Sequence, residues 1–194
     1  GRNKYYHAIC NSFPALKIYK EMKLNCPIVF PSFPIEIQPN IKTIQSLILQ
    51  FLSISKDRVI SPTEISDTYF DIGIFLQMFF PNCKEVASFY QRVSNQIEAS
   101  GKIANLQENQ GTYIYISRRD ATRRPIENEE EIIEMLKPFG FMIVEMSNLS
   151  FLEQFSLVRN ASVIVSPHGA GLTNMVFAKP GIKIVEFHTL LPAK

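Results

Sequence analysis

The sequence predicts an α/β protein whose C-terminal half is a doubly wound parallel sheet. Three observations carry this. From Thr112 onward, short apolar runs alternate with amphipathic stretches in the order β-α-β-α-β-α-β. The runs are almost continuously apolar rather than alternating, the pattern of strands buried on both faces in a parallel sheet flanked by helices. The connections are short, and right-handed crossovers over short connections leave a doubly wound sheet as the natural answer.

Each element has a local reason. Tyr113-Ile114-Tyr115-Ile116 is aromatic and β-branched, and reads as a buried strand. A polar loop follows over 117–126, carrying Arg118, Arg119, Arg123 and Arg124. Asn128 with Glu131 three residues on predicts a capping box, and Ile132, Met135, Leu136 and Phe139 form one apolar stripe at helical spacing. Pro138 and Gly140 stop that helix. Phe141 to Val144 is the next strand; Ser150 and Glu153 form a second capping box, with Leu152, Phe155, Leu157 and Val158 facing inward. Ser162-Val163-Ile164-Val165 is a third strand, Ser166 to Gly171 a tight loop, and Leu172 to Phe177 a short helix. Pro180-Gly181 is a turn before a fourth strand, Lys183 to Phe187.

The N-terminal half is less regular. Ile44, Leu47, Ile48, Phe51 and Leu52 predict a helix over 41–53, Arg58 to Ile60 a short strand, and Cys83 to Ser100 a polar helix after Pro81. Residues 63–80 give no ordered reading. The expected division is residues 1–99 and 100–194.

Composition narrows the function. The chain has 194 residues, 46% hydrophobic and 20% charged, the make-up of a globular protein rather than a disordered one. A formal charge of +2 is too mild to argue for nucleic acid or an anionic membrane as partner. No apolar run approaches the roughly 20 residues of a membrane helix. The first residues, Gly-Arg-Asn-Lys, lack the regions of a signal peptide, and the missing initiator Met suggests a piece of a longer protein. Cys10, Cys26 and Cys83 are too few and too far apart for a disulfide framework or a zinc site, and read as reduced, buried thiols. The N-x-S sequons at Asn148 and Asn160 read as chance.

Ligands of such sheets bind outside the carboxyl ends of the strands. Two loops at those ends stand out, Ser117-Arg118-Arg119-Asp120 and Ser166-Pro167-His168-Gly169-Ala170-Gly171. In the second, glycines let the backbone approach a ligand, and the loop opens a helix whose free N–H groups suit a phosphate. Arg118 can add a bidentate phosphate contact from the neighbouring loop. Thr173 and Asn174, in the helix's first turn, can reach a ligand. Glu186 ends a strand at the same edge and can accept from ribose hydroxyls. The plain readings stay open beside these: a tight turn, a structural His168, a solvated arginine face and a satisfied strand-end carboxylate.

Tyr115-Ile116-Ser117-Arg118, Asn128-Glu129, Glu153-Gln154, the run from Ser166 through Leu172, Thr173 and Asn174, and Val185-Glu186 together resemble glycosyltransferase family 61, in the right order. Fainter similarity lies in Asn3-Lys4-Tyr5-Tyr6-His7 and Phe13-Pro14; Ala8 and Asn11 depart from the family's pattern, and 25–100 shows almost no specific match. The resemblance implies a GT-B fold of two facing Rossmann-like domains, the N-terminal one incomplete here. It implies inverting, metal-independent transfer of a sugar from a nucleotide-sugar donor to a glycan or surface-polysaccharide acceptor, as in capsular polysaccharide biosynthesis. No cofactor or metal is expected, and no Asp-x-Asp motif occurs. The expected compartment is the cytoplasm of a bacterium, peripheral to the membrane, or the secretory lumen of a eukaryote.

Such a transfer needs a base for the acceptor hydroxyl and positive charge for the leaving diphosphate. The expected base is His7; the expected donor site is Arg118, Arg123, His168, Gly169, Ala170, Gly171, Leu172, Thr173, Asn174 and Glu186. Two other readings stay open: a nucleotide-sugar epimerase of the same architecture, and a non-catalytic nucleotide-sugar-binding module. A hydrolase fits poorly, since no G-x-S-x-G elbow is present.

Overall fold

The computed structural model describes residues 4–29, 38–60, 83–103, 111–121 and 125–188. The chain divides into two compact units, Gly1–Ile97 and Glu98–Lys194. Residues 63–80 and the pair Arg123 and Arg124 lie outside the described residues.

In the first unit, α1 (Lys4–His7) runs through a π-helical segment, Ala8–Ser12, into α2 (Phe13–Glu21). A two-stranded parallel sheet joins β1 (Ile28–Val29) to β2 (Val59–Ile60), in the register Ile28↔Val59. The helix α3 (Gln38–Phe51) buries Ile41, Ile44, Ile48 and Leu49 on one stripe. The expected polar helix is α4 (Cys83–Ala99); it is amphipathic, with Phe89, Tyr90, Val93 and Ile97 all at most 2% exposed. The Tyr90 hydroxyl donates to the carbonyl of Ile9, satisfying a phenol that would otherwise be buried without a partner. The thiols depart from expectation. Cys10 is half-buried and Cys26 exposed, both free, because Cys26 lies on the bend after α2, where its carbonyl accepts from Tyr19.

Among its described residues the second unit holds four strands: β3 (Thr112–Ile116), β4 (Phe141–Val144), β5 (Ala161–Pro167) and β6 (Lys183–Phe187). All pair parallel, in the spatial order β4-β3-β5-β6. Side chains alternate between sheet faces, and coverage is uneven: Ile114, Tyr115 and Ile164 are fully buried, whereas Lys183 to Glu186 of β6 are exposed. On one face, Ile114, Ile116, Val144 and Ile164 pack with Val158 of α6 (Phe151–Asn160) and Leu172 of a 3-10 helix (Ala170–Phe177). Phe151, Phe155 and Phe177 lock those two helices together, with ring centroids 5.4–6.1 Å apart. On the other face Tyr115 meets α5 (Glu129–Leu136) through a bond to Glu129. The α/β reading with parallel strands and flanking helices is thus the observed architecture, but the expected burial of strands on both faces fails at the edge strand β6, exposed from Lys183 to Glu186.

Two local expectations fail. Asn128 precedes α5, but its side chain makes no capping bond; at φ −108° and ψ 34° it is not in the extended conformation that aims a cap at the N3 amide. The stripe also differs: Ile133 is buried, whereas Met135 is 63% and Phe139 67% exposed. The helix turns so that Glu129 and Ile133, four residues apart, face the sheet, because the Glu129 carboxylate is tied down there. The second capping box forms as expected, Ser150 Oγ accepting from the Glu153 amide and Glu153 accepting from the Ser150 amide at 2.8 Å. Those bonds hold the Glu153 carboxyl below its usual range. In α6 the buried apolar positions are Phe151, Phe155 and Val158, with Leu152 and Leu157 only half-buried.

Candidate donor site

The strand order places a topological switch beside β3. The chain leaves β3 for β4 on one side, then returns past β3 to β5 on the other. The connections after β3 and β5 therefore head to opposite faces, the position at which open α/β sheets bind ligands. These are the two loops singled out in the sequence.

The β3 loop is fixed from below. Ser117 is buried and its amide donates to the carbonyl of Val144 at 2.8 Å. Glu129, 4% exposed, accepts from the Arg118 amide at 2.8 Å and from the Tyr115 hydroxyl at 3.0 Å. A buried carboxylate needs such partners. Burial, then the bond to Glu129, push the Tyr115 phenol well above its usual range, so it remains a donor. Arg118 is thereby held at the sheet edge, half-buried, with Nη1 3.3 Å from the carbonyl of His168. Arg119 turns away and pairs with Glu130 and Glu145 at 3.1 and 3.2 Å, a surface network.

The β5 loop meets Arg118 at Gly169. A Cβ on Gly169 would stand 2.1 Å from Arg118 Nη1, so only glycine lets the guanidinium lie there. The backbone at Gly169 is extended, so its absent side chain matters and its conformational freedom does not. Gly171 serves packing: a Cβ there would lie 2.9 Å from Ile116 and 3.2 Å from Met146 in the core. The helix that follows is a 3-10 helix rather than an α-helix and starts at Ala170, two residues earlier than expected.

The remaining site residues separate into outward and inward groups. His168 and Glu186 are exposed and hydrogen-bonded, Nδ1 to Oε1, at 2.7 Å. Ala170 is half-buried. Leu172, Thr173 and Asn174 point inward; Leu172 joins the core, and Asn174, 0% exposed, donates to Gln154 Oε1 at 2.8 Å and to the Gly171 carbonyl at 3.2 Å. Gln154 in turn donates to the carbonyls of Met146 and Leu149. His7 lies in the first unit, exposed, its Nδ1 3.2 Å from Asn11 Oδ1. Arg123 lies outside the described residues. Sequence reasoning did not single out Glu129 and Gln154 as supports of these loops; each carries a polar side chain inside an otherwise apolar interface. It also passed over His188, although Glu186-x-His188 is the spacing that puts two strand residues on one face.

A separate cavity of about 500 Å3 opens beside the edge strand β4, where Met142, Val144, Leu149 and Leu157 give it an apolar wall. It lies along α6, off the switch point.

A parallel sheet in this order, with an arginine and a glycine loop meeting at its switch point, is compatible with a Rossmann-like class of protein. The comparison with known sequences gives the family: the model of Glycosyltransferase 61 matches residues 5–185, and the chain belongs to that family. It is similar to the EGF domain-specific O-linked N-acetylglucosamine transferase of Drosophila melanogaster, 33% identical over 77 residues, which are 38% of this chain and 15% of that protein. The protein of the same name from Canis lupus familiaris is 28% identical over 80 residues, 39% of this chain and 15% of its own length. Each match thus spans about a seventh of the curated relative. Among the described residues no helix is long and apolar enough to cross a membrane.

Proposed function

We propose that this chain carries the donor-binding part of an inverting glycosyltransferase of GT-B architecture, with part of the acceptor side. The observation that carries the reading is Arg118 lying against Gly169 at the switch point. There the guanidinium and the N–H groups opening the 3-10 helix meet the negative charge of a nucleotide diphosphate. That charge grows as the diphosphate leaves, so fixed donors at this place favour the transition state over the bound donor. Glu186 accepts from ribose hydroxyls, and His168, bonded to Glu186, borders the phosphate path. Leu172, Thr173 and Asn174 act by holding the loop in place. No metal is needed in this scheme, because the arginine and the amides supply the positive field.

The base that takes the acceptor proton comes from the first unit, and His7 is the residue assigned to it. An imidazole suits the task, and the π-helical segment that begins at Ala8 is a local feature often found at functional sites. The relatives' names direct the first donor trial to N-acetylglucosamine linked to a nucleotide, with a hydroxyl acceptor on protein or glycan.

Titration calorimetry of the chain with uridine, guanosine and cytidine diphosphates, beside Arg118→Ala, tests the donor reading. Binding by one of them that is lost in the variant is the expected result; equal binding by both proteins refutes the site. Full turnover by His7→Ala in an active preparation would remove His7 as the base.

A further inference from the structure

The ends of β5 and β6 bring together three side chains that the donor scheme does not fully use. In the β5–β6 register Ser166 lies opposite Glu186 and Pro167 opposite Phe187. The ladder runs one step further, with the His168 amide donating to the Phe187 carbonyl at 2.8 Å. Side chains two apart on a strand share a face. His168, two beyond Ser166, and His188, two beyond Glu186, therefore come to the face that Glu186 occupies. His168 Nδ1 is 2.7 Å from Glu186 Oε1, and His188 Nε2 is 3.7 Å from Glu186 Oε2. The two imidazoles stack with centroids 4.7 Å apart and planes 23° from parallel. One ligand atom from each of the three residues lies within 4.8 Å of the other two.

We propose that His168, Glu186 and His188 bind a divalent transition-metal cation of the zinc class, and that the bound cation competes with the nucleotide-sugar donor. Two imidazole nitrogens and one carboxylate oxygen are a donor set that zinc accepts, with a fourth position left for water. Magnesium and calcium prefer all-oxygen sites, so the imidazoles select against them. Zinc bonds of about 2.0–2.2 Å set tetrahedral ligands roughly 3.3–3.6 Å apart. The three atoms reach that spacing by modest rotation of exposed side chains, which are 49%, 34% and 64% accessible. The competition rests on the donor reading above, because the cation takes the carboxylate assigned to the ribose and the imidazole beside the phosphate path. His188 has no part in that reading, so it separates the two.

The test uses the full chain freed of metal by a chelator. Zinc chloride is titrated calorimetrically into it and into His188→Ala, and cobalt(II) is added to both for its visible spectrum. The expected result is one zinc per chain, a tetrahedral cobalt spectrum, and binding weakened at least about tenfold in the variant, since losing a ligand costs no less than losing a ligand's support. Zinc at a concentration that fills the natural chain but not the variant then weakens nucleoside diphosphate binding in the natural chain and leaves His188→Ala unaffected. Equal zinc affinity in both proteins, or no tetrahedral cobalt spectrum, overturns the metal site. Zinc that binds without altering diphosphate affinity overturns the competition. A metal-free chain that binds none of the diphosphates counts against the donor reading, while the cobalt spectrum still reports on the metal site by itself.

Discussion

The two halves of the β5 loop face opposite ways. Its outer half, His168 and Gly169, meets Arg118 and Glu186 at the surface. Its inner half, Gly171 to Asn174, is spent on the protein: Gly171 lies against Ile116 and Met146, Leu172 joins the core, and the Asn174 amide bonds Gln154. A single run of residues thus faces the surface at one end and anchors in the core at the other. Two glycines a residue apart are both required to lack a side chain, one to admit a charged group and one to admit the core. Substitutions in the outer half are therefore expected to change diphosphate binding with the fold intact, and those in the inner half to change stability first.

The largest effect should fall on the outer half. Arg118→Ala is expected to weaken diphosphate binding by about 100-fold or more, on the scale of removing one donor from a charge-stabilising site, with the melting temperature nearly unchanged. A drop in stability of the same size as the binding loss would show that Arg118 belongs to the anchor. Next come the inner-half changes. Asn174→Ala leaves Gln154 Oε1 without its buried donor and should cost about 1–3 kcal/mol; Gly171→Ala forces a methyl against Ile116 and should cost about the same. Urea unfolding measures both, and values near zero would break the division. Gly169→Ala sharpens it. The methyl meets the movable end of the Arg118 side chain, so stability should change by less than about 0.5 kcal/mol while diphosphate affinity falls about tenfold, read by calorimetry.

The smallest effect concerns a support outside the loop. Arg159, 5% exposed, pairs with Glu98 through two bonds of 2.9 Å and donates to the carbonyls of Phe177 and Ala178. The bond from Arg159 holds the Glu98 carboxyl below its usual range. A carboxyl lowered in the folded state adds stability that is complete above its unfolded pKa, and that stability is lost as pH falls through the folded value. Glu98→Gln should therefore lower the melting temperature slightly at neutral pH and reduce its fall on acidification. Parallel acid curves for the two proteins would show that this pair adds nothing.

The α/β character and the parallel sheet were legible because apolar runs and short connections admit few arrangements. Tyr113 to Ile116 and Ser162 to Val165 contain no polar residue in the middle, so strands with buried centres followed directly, and Ile114, Tyr115 and Ile164 are those centres, whereas Tyr113 is exposed and Val163 and Val165 only half-buried. The loop after β5 was legible for a similar reason, glycine and histidine after an apolar run marking a turn at the strand's carboxyl end, although the expected loop began too early: Ser166 and Pro167 still pair with β6 as part of the strand. The rotation of α5 was not. Its sequence offers a stripe through Met135 and Phe139, and a glutamate at its start looks like a solvated first-turn residue. Only the fold brings the Tyr115 hydroxyl and the Arg118 amide to Glu129, and those two bonds decide which side of the helix faces the sheet.

The sequence by itself determined which stretches become strands and helices, where the two suspect loops lie, and which family's motifs they resemble. Those are properties of local pattern and order along the chain. Tertiary structure decided which residues of the loops meet. The register of β5 against β6 set His168 beside Glu186 and His188, and the order β4-β3-β5-β6 set Arg118 over Gly169. Asn174 looks as available as His168 in the sequence; packing turned one inward to Gln154 and left the other at the surface. The reason is physical: a hydrogen-bonding side chain carries no direction until the fold places its partners, and those partners lie about twenty residues away for Asn174 and about fifty for Arg118.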